Sequence, residues 1–502
     1  MADSLNFCLP VMASLVPALT RRSVLLGIAA LVLSALFLLA TFSQYSEVLI
    51  PSRRVYQNRP PELIDDTLNS TLGFQKIIVI NLAKRTDRRD RMAMGAAMTG
   101  LKYEFLDAAP EVNMHALPPG GENPELNMRD AHFGNWRSHM NAALKMVTEG
   151  ISTALILEDD ADWDIRIKSQ MRDYARASQL LLQPLRNTTD QYLDPTFPRP
   201  SSENDKPSSF YVGRDDNRIT KATTSPYGDA ERWDMHWLGH CGVRFPYAQD
   251  EVQPLARAVI LNDSTVTNPA HLTMQFGDQQ LLEQYPPHTR AVSRGWGGVC
   301  TQAYAISNRG ARKILWEMGL KEFNAPTDIM LRQMCDGVDG RRQMRCLFPQ
   351  PALFLQHRPR GNVAHESSIE DGKNTGYVEK AVTPNLRLST MVNLERLAFG
   401  DKDLIDQYED HEDDYKNTGQ AGGNPDYWHF GVTLPEEDDK GEAQDSEKKD
   451  DDKKEHDGGH GDGDLEKSEQ GKDDKTDHKD AHKEPKSKFG ELWKDGKAEH
   501  TN

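Results

Sequence analysis

The chain has 502 residues, 27% of them charged, with a mean hydropathy of −0.68 and a formal net charge of −17. That length admits two or three domains, but the charge is uneven: from Pro435 onward 24 Asp and Glu face 14 Lys, so ten of the seventeen excess negative charges sit in the last segment. The remainder is mildly acidic and shows no basic patch or stripe, which argues against a nucleic-acid partner.

From Ser23 to Ser46 there is no charge, and Val24 to Phe42 is dominated by Leu, Ala, Val, Ile and Phe. At about 1.5 Å per residue a helix here spans the roughly 30 Å hydrocarbon core of a bilayer. A cleaved signal peptide would have a shorter apolar region ending in a small-residue cleavage site. Arg21 and Arg22 precede the span while Arg53, Arg54 and Arg59 follow it, so the charge bias orients it only weakly. The glycosylation sequons at Asn69, Asn187 and Asn262 all lie downstream, as do Cys241, Cys300, Cys335 and Cys346, with Cys8 alone before it. The reading is a single-pass type II protein of the Golgi or endoplasmic reticulum membrane. It comprises a cytosolic tail (1–22), a transmembrane anchor (23–44), a stem (45–72), one lumenal domain (73–400) and an acidic low-complexity tail (401–502), disordered from about residue 435. The four later cysteines allow three pairings. Cys335 with Cys346 closes a short loop, and a free buried set is the alternative.

The globular pattern begins with the β-branched run Ile77 to Ile80, which fits a central strand. It delivers Asn81, Arg85, Asp87 and Arg88, with a helix starting near Asp87. Arginines at the carboxyl end of a first strand suit a diphosphate, since a guanidinium holds phosphate oxygens bidentately; a solvated helix start capped by Asp87 is the bland alternative. Tyr103 to Leu106 reads as a second strand closing on Asp107. Arg129 to Glu149 is the clearest helix: Phe133, Trp136, Met140, Ala143, Leu144 and Val147 follow one stripe, and Gly150 ends it. His132 and His139 lie on one face of this helix, where histidines are more often structural than ligands.

The apolar run Ala154 to Leu157 then ends in Glu158, Asp159, Asp160, Asp162 and Asp164. Acids this dense repel one another, so a counter-charge is needed if several stay ionised in a cleft. Mg²⁺ or Mn²⁺ carrying a substrate's phosphates would supply it; a solvated acidic turn would not need it. Ligands of open α/β sheets sit at the carboxyl ends of strands, and the alternation of strands and helices to this point indicates an α/β open sheet.

Residues 187–230, rich in Pro, Ser, Asp, Asn and Thr, form a loop long enough to be functional or disordered. Trp233 to Leu238 and Tyr304 to Ser307 read as further strands. Ser307 caps a helix that carries Ala311, Ile314, Leu315 and Met318 and stops at Gly319. Pro326 opens another helix with Asp328 in its first turn, where the helix dipole favours an acid, so a structural role stands beside a catalytic one. Pro351 to His357 reads as the last strand.

These pieces, in this order, resemble glycosyltransferase family 25, which includes bacterial lipopolysaccharide galactosyltransferases and collagen galactosyltransferases. The resemblance is carried by Ile80-Asn81-Leu82 with Arg85 and Asp87-Arg88-Arg89, then Gly134 with Ser138-His139. It continues through Leu157-Glu158-Asp159-Asp160, Trp233-Asp234 with Leu238-Gly239, Tyr304 with Ser307 and Ala311, Pro326-Thr327-Asp328, and the strand to Gln356. It covers roughly residues 74–370. One departure stands out: the family's helix usually carries Gly-Cys before Ser-His, whereas here Gly134 is followed by Asn135-Trp136-Arg137.

The resemblance implies a single catalytic domain of the GT-A type, a nucleotide-sugar donor (UDP-galactose or UDP-glucose favoured) and an inverting transfer to a glycan or glycoprotein acceptor. It places Mn²⁺ or Mg²⁺ at Asp160, with Asp162 and His357 in the metal shell. Glu158 and Asp159 would orient the ribose and metal-bound water, and Asn81, Arg85, Arg88, Asp107, Ser138 and His139 would line the donor. Inversion needs a general base on the acceptor hydroxyl, for which Asp328 is the first choice and Asp234 the second. Two other classes remain. A glycoside hydrolase also uses paired carboxylates, and a catalytically inactive, membrane-tethered sugar- or protein-binding module would keep the fold without turnover.

Overall fold

A computed structural model describes residues 62–411 apart from 215, 274–278 and 364–375. The expected membrane anchor and the tail beyond residue 411 lie outside the described residues. Among the described residues, no helix is long and apolar enough to cross a membrane.

The chain builds a mixed α/β domain on a nine-stranded sheet. Its strands are β1 (Lys76–Asn81), β2 (Glu104–Asp107), β3 (Thr153–Glu158), β5 (Ser209–Tyr211), β6 (Met235–Gly239), β8 (Arg257–Ile260), β9 (Arg290–Ser293), β11 (Ala303–Ser307) and β12 (Cys346–Gln350). Short strands outside it include β4 (Ala161–Trp163), β7 (Gly242–Arg244) and β10 (Trp296–Val299). The order across the sheet is β2-β1-β3-β11-β6-β12-β9-β8-β5. β1 runs parallel to both β2 and β3, but β11 is antiparallel to β3 and β6, and β9 is antiparallel to β12 and β8. The sheet is therefore mixed: the strand–helix alternation read in the sequence builds the parallel set β2-β1-β3, and the strands beyond it add antiparallel pairs.

Alternation along β1 and β3 divides the core in two. Ile77, Val79, Leu155 and Leu157 face α1 (Thr86–Thr99) and α3 (Ile167–Leu182), through Met92, Ala96, Met171 and Tyr174. Ile78, Ile80, Ala154 and Ile156 face α2 (Asp130–Thr148), α4 (Asn308–Trp316) and α5 (Thr327–Asp336), through Phe133, Trp136, Met140, Ile314 and Met330. Burial on both faces explains why these strands read as unbroken apolar runs. Ser307 caps α4 by accepting from Gly310 N at 3.1 Å. At Gly310 the helix runs against the Asp234 carbonyl so closely that a Cβ would collide with it.

The limits of the domain differ from those read in the sequence. Leu63–Leu68 forms a 3₁₀ turn and Leu72 is fully buried, so folded structure begins within the expected stem. At the other end Asn393 Oδ1 accepts from Ile405 N and Gln407 Nε2 donates to Thr383 O and Leu386 O, which carries the domain past residue 400. The segment 187–230 is structured: it supplies the edge strand β5, and Tyr227 is buried with its ring stacked 4.6 Å from Phe74. The last strand of the sheet is β12; the run expected there instead yields β13 (Phe354–Gln356), which pairs with β4 outside the sheet. Disulfides join Cys335 to Cys346, the short loop anticipated, and Cys241 to Cys300.

Candidate active site

Parallel pairing of β1 with β2 and β3 brings three polar strand ends together. Asn81 sits opposite Asp107, and Ile80 opposite Glu158. From α1, Arg88 reaches back over this end. Its guanidinium lies 2.5 Å from Asp159 and 3.1 Å from Asp160, with its side chain only 8% exposed. Asn81 Nδ2 donates to the other Asp159 oxygen at 2.8 Å. The counter-charge demanded by the acidic run is thus already supplied in part by the protein itself.

Glu158 points toward α2 and β11. His139 Nε2 is 3.2 Å from its carboxylate, Thr301 Oγ1 donates to it at 2.6 Å, and His139 Nδ1 lies 2.8 Å from Tyr304 Oη. Burial pushes Glu158 upward, but His139, Thr301 and Arg88 outweigh it and hold the group below the usual carboxylate range. Asp160 is driven the other way. Burial, reinforced by Glu158 and Asp159 against the opposing Arg88, carries it up to about 6. One of its oxygens accepts from Gln356 Nε2 at 3.3 Å, while the other is buried with no hydrogen-bond partner among the described residues. A small cavity opens beside it, lined by Arg85, Arg88, Arg91, Asp159, Asp160 and His357.

Among the described residues no three His, Cys, Asp or Glu side chains form a group able to hold a metal. Mg²⁺-type cations are commonly bound through one or two carboxylates, with substrate phosphates and water completing the shell. The unpartnered Asp160 oxygen, beside arginines suited to phosphate, fits a cation that arrives in this way.

Asp162, expected in the metal shell, serves elsewhere. It is fully buried and accepts from Trp163 N (2.7 Å), Met391 N (3.1 Å), Thr383 Oγ1 (2.5 Å) and Ser389 Oγ (2.5 Å). A carboxylate offers about four acceptor positions; the bond from Trp163 N lies within β4, and the other three tie the segment 383–391 to it. His357 stands between the two acids: its backbone N donates to Asp160 O at 2.9 Å and its Nδ1 is 2.9 Å from Thr383 Oγ1. Burial, with Arg91 adding, pulls His357 down to about 3, so the ring facing the cavity is neutral.

The remaining expected residues divide by position. Arg85 lines the cavity and is paired with Asp87 at 2.8 Å. Asp107, at the end of β2, is 73% exposed and 3.6 Å from Arg89. Ser138 does not face the cavity: it donates to Gly134 O and accepts from Ala109 N, joining α2 to the loop after β2. A Cβ on Gly134 would come within 2.8 Å of Ala109 O, which accounts for the glycine. Asp328 accepts from Cys300 N at 3.0 Å, and Thr301 and Gln302 contact Glu158, so Asp328 borders the acidic end.

Asp234 does not. It precedes β6, whose amino end pairs with Ile306 of β11, itself opposite Ala154 at the amino end of β3. There Asp234 is fully buried against Arg309 (2.8 Å) and Lys313 (2.7 Å), at the opposite end of the sheet from Asp160. Sequence reasoning missed Arg91 and Thr301. Arg85, Arg88 and Arg91 are spaced by threes across the start of a helix, which places them on one side and was a usable signal; Thr301 has none.

The model of the family described as glycosyltransferase family 25 (LPS biosynthesis protein) matches residues 74–331, the span that contains β1, the acidic end of β3 and Asp328. Among curated proteins, the chain is 26% identical over 125 residues to the "Probable inactive glycosyltransferase 25 family member 3" of Bos taurus, covering 23% of this chain and 20% of that protein. It is 24% identical over 119 residues to "Procollagen galactosyltransferase 1" of Danio rerio, covering 22% of this chain and 20% of that protein. The match thus spans about a fifth of the length of each relative.

Proposed function

The chain belongs to glycosyltransferase family 25, and from that premise we propose that it transfers a hexose, galactose or glucose, from a UDP-sugar to a glycan or glycoprotein acceptor with inversion, on a GT-A type domain. The observation that carries this reading is the Asp160 oxygen left buried, and unpartnered among the described residues, in a cavity lined by Arg85, Arg88 and Arg91. An acid and three guanidiniums are the donor set for a cation that brings two phosphates with it. Asp160 would hold Mn²⁺ or Mg²⁺, with the neutral His357 ring beside it. When bound, the metal supplies positive charge where the departing diphosphate becomes negative.

Arg85 and Arg88 bind the same diphosphate and stabilise its charge as the sugar–phosphate bond breaks. Glu158, held by His139 and Thr301, is ionised and positioned to accept from a donor hydroxyl. In an inverting displacement the acceptor oxygen attacks the anomeric carbon and its proton passes to a base, while the electron pair of the broken bond leaves with the diphosphate. Asp328 is that base in this reading, because it alone of the two acids considered for the role borders the acidic end. The exposed Asn69, Asn187 and Asn262 leave room for glycans, in keeping with a lumenal domain in the Golgi or endoplasmic reticulum, anchored by the apolar N-terminal segment.

A second reading, a non-catalytic binding module, is favoured by one feature: Arg88 already pairs with both Asp159 and Asp160, which competes with a metal. Slow transfer to water separates the two readings without a known acceptor. UDP release from a screen of nucleotide sugars, dependent on Mn²⁺, supports the transferase. Absence of release together with absence of UDP binding supports the module.

A further inference from the structure

The end of the sheet opposite the acidic site holds a larger cavity, of about 340 Å³ against about 10 Å³ beside Asp160. Its volume falls in the range of small-molecule sites. Phe197, Pro198, Gln253, Arg294, Lys313 and Arg345 are among its walls. β9 delivers Arg294 at its carboxyl end, Arg345 immediately precedes β12, and Lys313 lies on α4, so three elements converge their cations on one space.

Arg294 is only 6% exposed, yet among the described residues its guanidinium makes one hydrogen bond, to Cys346 O at 3.1 Å, and has no carboxylate within 4.0 Å. Burial, with Arg345 adding and the more distant Asp194 and Asp234 opposing, pulls it down to about 10, so it remains a cation at neutral pH. Asp234 does not relieve it, being already paired with Lys313 and Arg309. Arg345 is exposed and makes no side-chain hydrogen bond or ion pair among the described residues. Buried charges are normally paired or hydrogen-bonded, because an unpaired one costs several kcal/mol. A guanidinium has five N–H donors in a planar fork matched to an oxyanion. The cavity therefore has an excess of positive charge, unused donors, and an apolar side formed by Phe197, Pro198 and Met344.

We propose that this cavity is a second ligand site, separate from the acidic one, that takes a small molecule bearing a phosphate or sulfate group, with Arg294 and Arg345 holding the oxyanion and Lys313 at its edge. The apolar wall faces the carbon skeleton of a sugar-sized ester, and its ligand does not compete with a nucleotide at the far end of the sheet.

Isothermal titration of the full chain at constant ionic strength tests this, with inorganic phosphate, hexose 6-phosphate and hexose 6-sulfate as separate probes. The expected result is saturable binding of at least one probe, weakened tenfold or more in Arg345→Gln and in Arg294→Gln and unchanged in Arg85→Gln. Arg345 is at the surface, so its variant reports on binding even if the buried Arg294→Gln fails to fold. An ester that binds more tightly than inorganic phosphate identifies an ester ligand; equal affinity identifies the free anion. No binding up to 10 mM, or binding lost in Arg85→Gln and kept in Arg345→Gln, overturns the proposal.

Discussion

The two ends of the nine-stranded sheet are built with opposite charge excess. At the carboxyl ends of β1 and β3, Asp159 and Asp160 share Arg88, and one Asp160 oxygen has no hydrogen-bond partner among the described residues. At the other end Arg309 and Lys313 pair with Asp234, while among the described residues Arg294 and Arg345 have no carboxylate within 4.0 Å. Each end therefore has a complete ion pair and an incomplete one. Complete pairs hold structure, and the incomplete partner marks where a ligand of opposite sign belongs. The comparison separates two aspartates that the sequence presents alike: Asp160 faces a cavity, and Asp234 closes a salt-bridge cluster.

The largest expected effect lies with an acid that is fully satisfied. Asp162→Ala leaves two buried hydroxyls and two buried backbone N–H groups without their acceptor, and should cost about 4 kcal/mol in a urea titration. A loss under about 1 kcal/mol would show that the segment 383–391 does not depend on that tie. Next, Asp160→Ala should lower UDP release from the donor by at least about a hundredfold, equivalent to about 2.7 kcal/mol, with little change in the unfolding midpoint. Asp234→Asn should do the reverse. Its cations are each about a third exposed and partly screened by water, so the stability loss should be about 2 kcal/mol, while turnover per folded molecule stays within about twofold of wild type. A large fall in turnover for Asp234→Asn would break the division between the two ends.

The smallest effect concerns Asp336, which accepts from Gly297 N at 3.1 Å and has no cation within 4.0 Å among the described residues. Burial carries it up to about 7 from an ordinary 3.8. The folded chain therefore holds a proton that the unfolded chain has released across that interval. The contribution to stability is present below about pH 4 and is lost as the pH rises through about 7. Asp336→Asn should match wild type near pH 4 and exceed it at pH 8 by on the order of 1 kcal/mol. Equal midpoints at pH 8 would contradict the assignment.

The first half of the domain was legible because its strands are buried on both faces and its long helix carries an unbroken stripe. Ile77 to Ile80, Phe133 to Val147 and Ala154 to Leu157 all adopt the structure that their periodicity implies. The second half was less so. β8, β9 and β12 are four or five residues each, lie among polar loops and are stabilised by pairing with strands distant in sequence. Within the site, Glu158 to Asp160 and Arg88 could be read as one group because acids and cations at strand ends are unusual enough to notice. Asp162 could not be told from Asp160, since its partners Thr383 and Ser389 lie more than two hundred residues away. Asp234 likewise looks like a base until its strand direction is known, and direction is a property of the sheet.

The most direct measurement is Mn²⁺-dependent UDP release by the wild-type protein, Asp160→Ala and Asp234→Asn in parallel, with each nucleotide sugar and at matched folded concentration. Release from one donor by the wild type, lost in Asp160→Ala and kept in Asp234→Asn, is the predicted result. Release that survives Asp160→Ala, or that is abolished by Asp234→Asn alone, would contradict the assignment of the chemistry to the acidic end of the sheet.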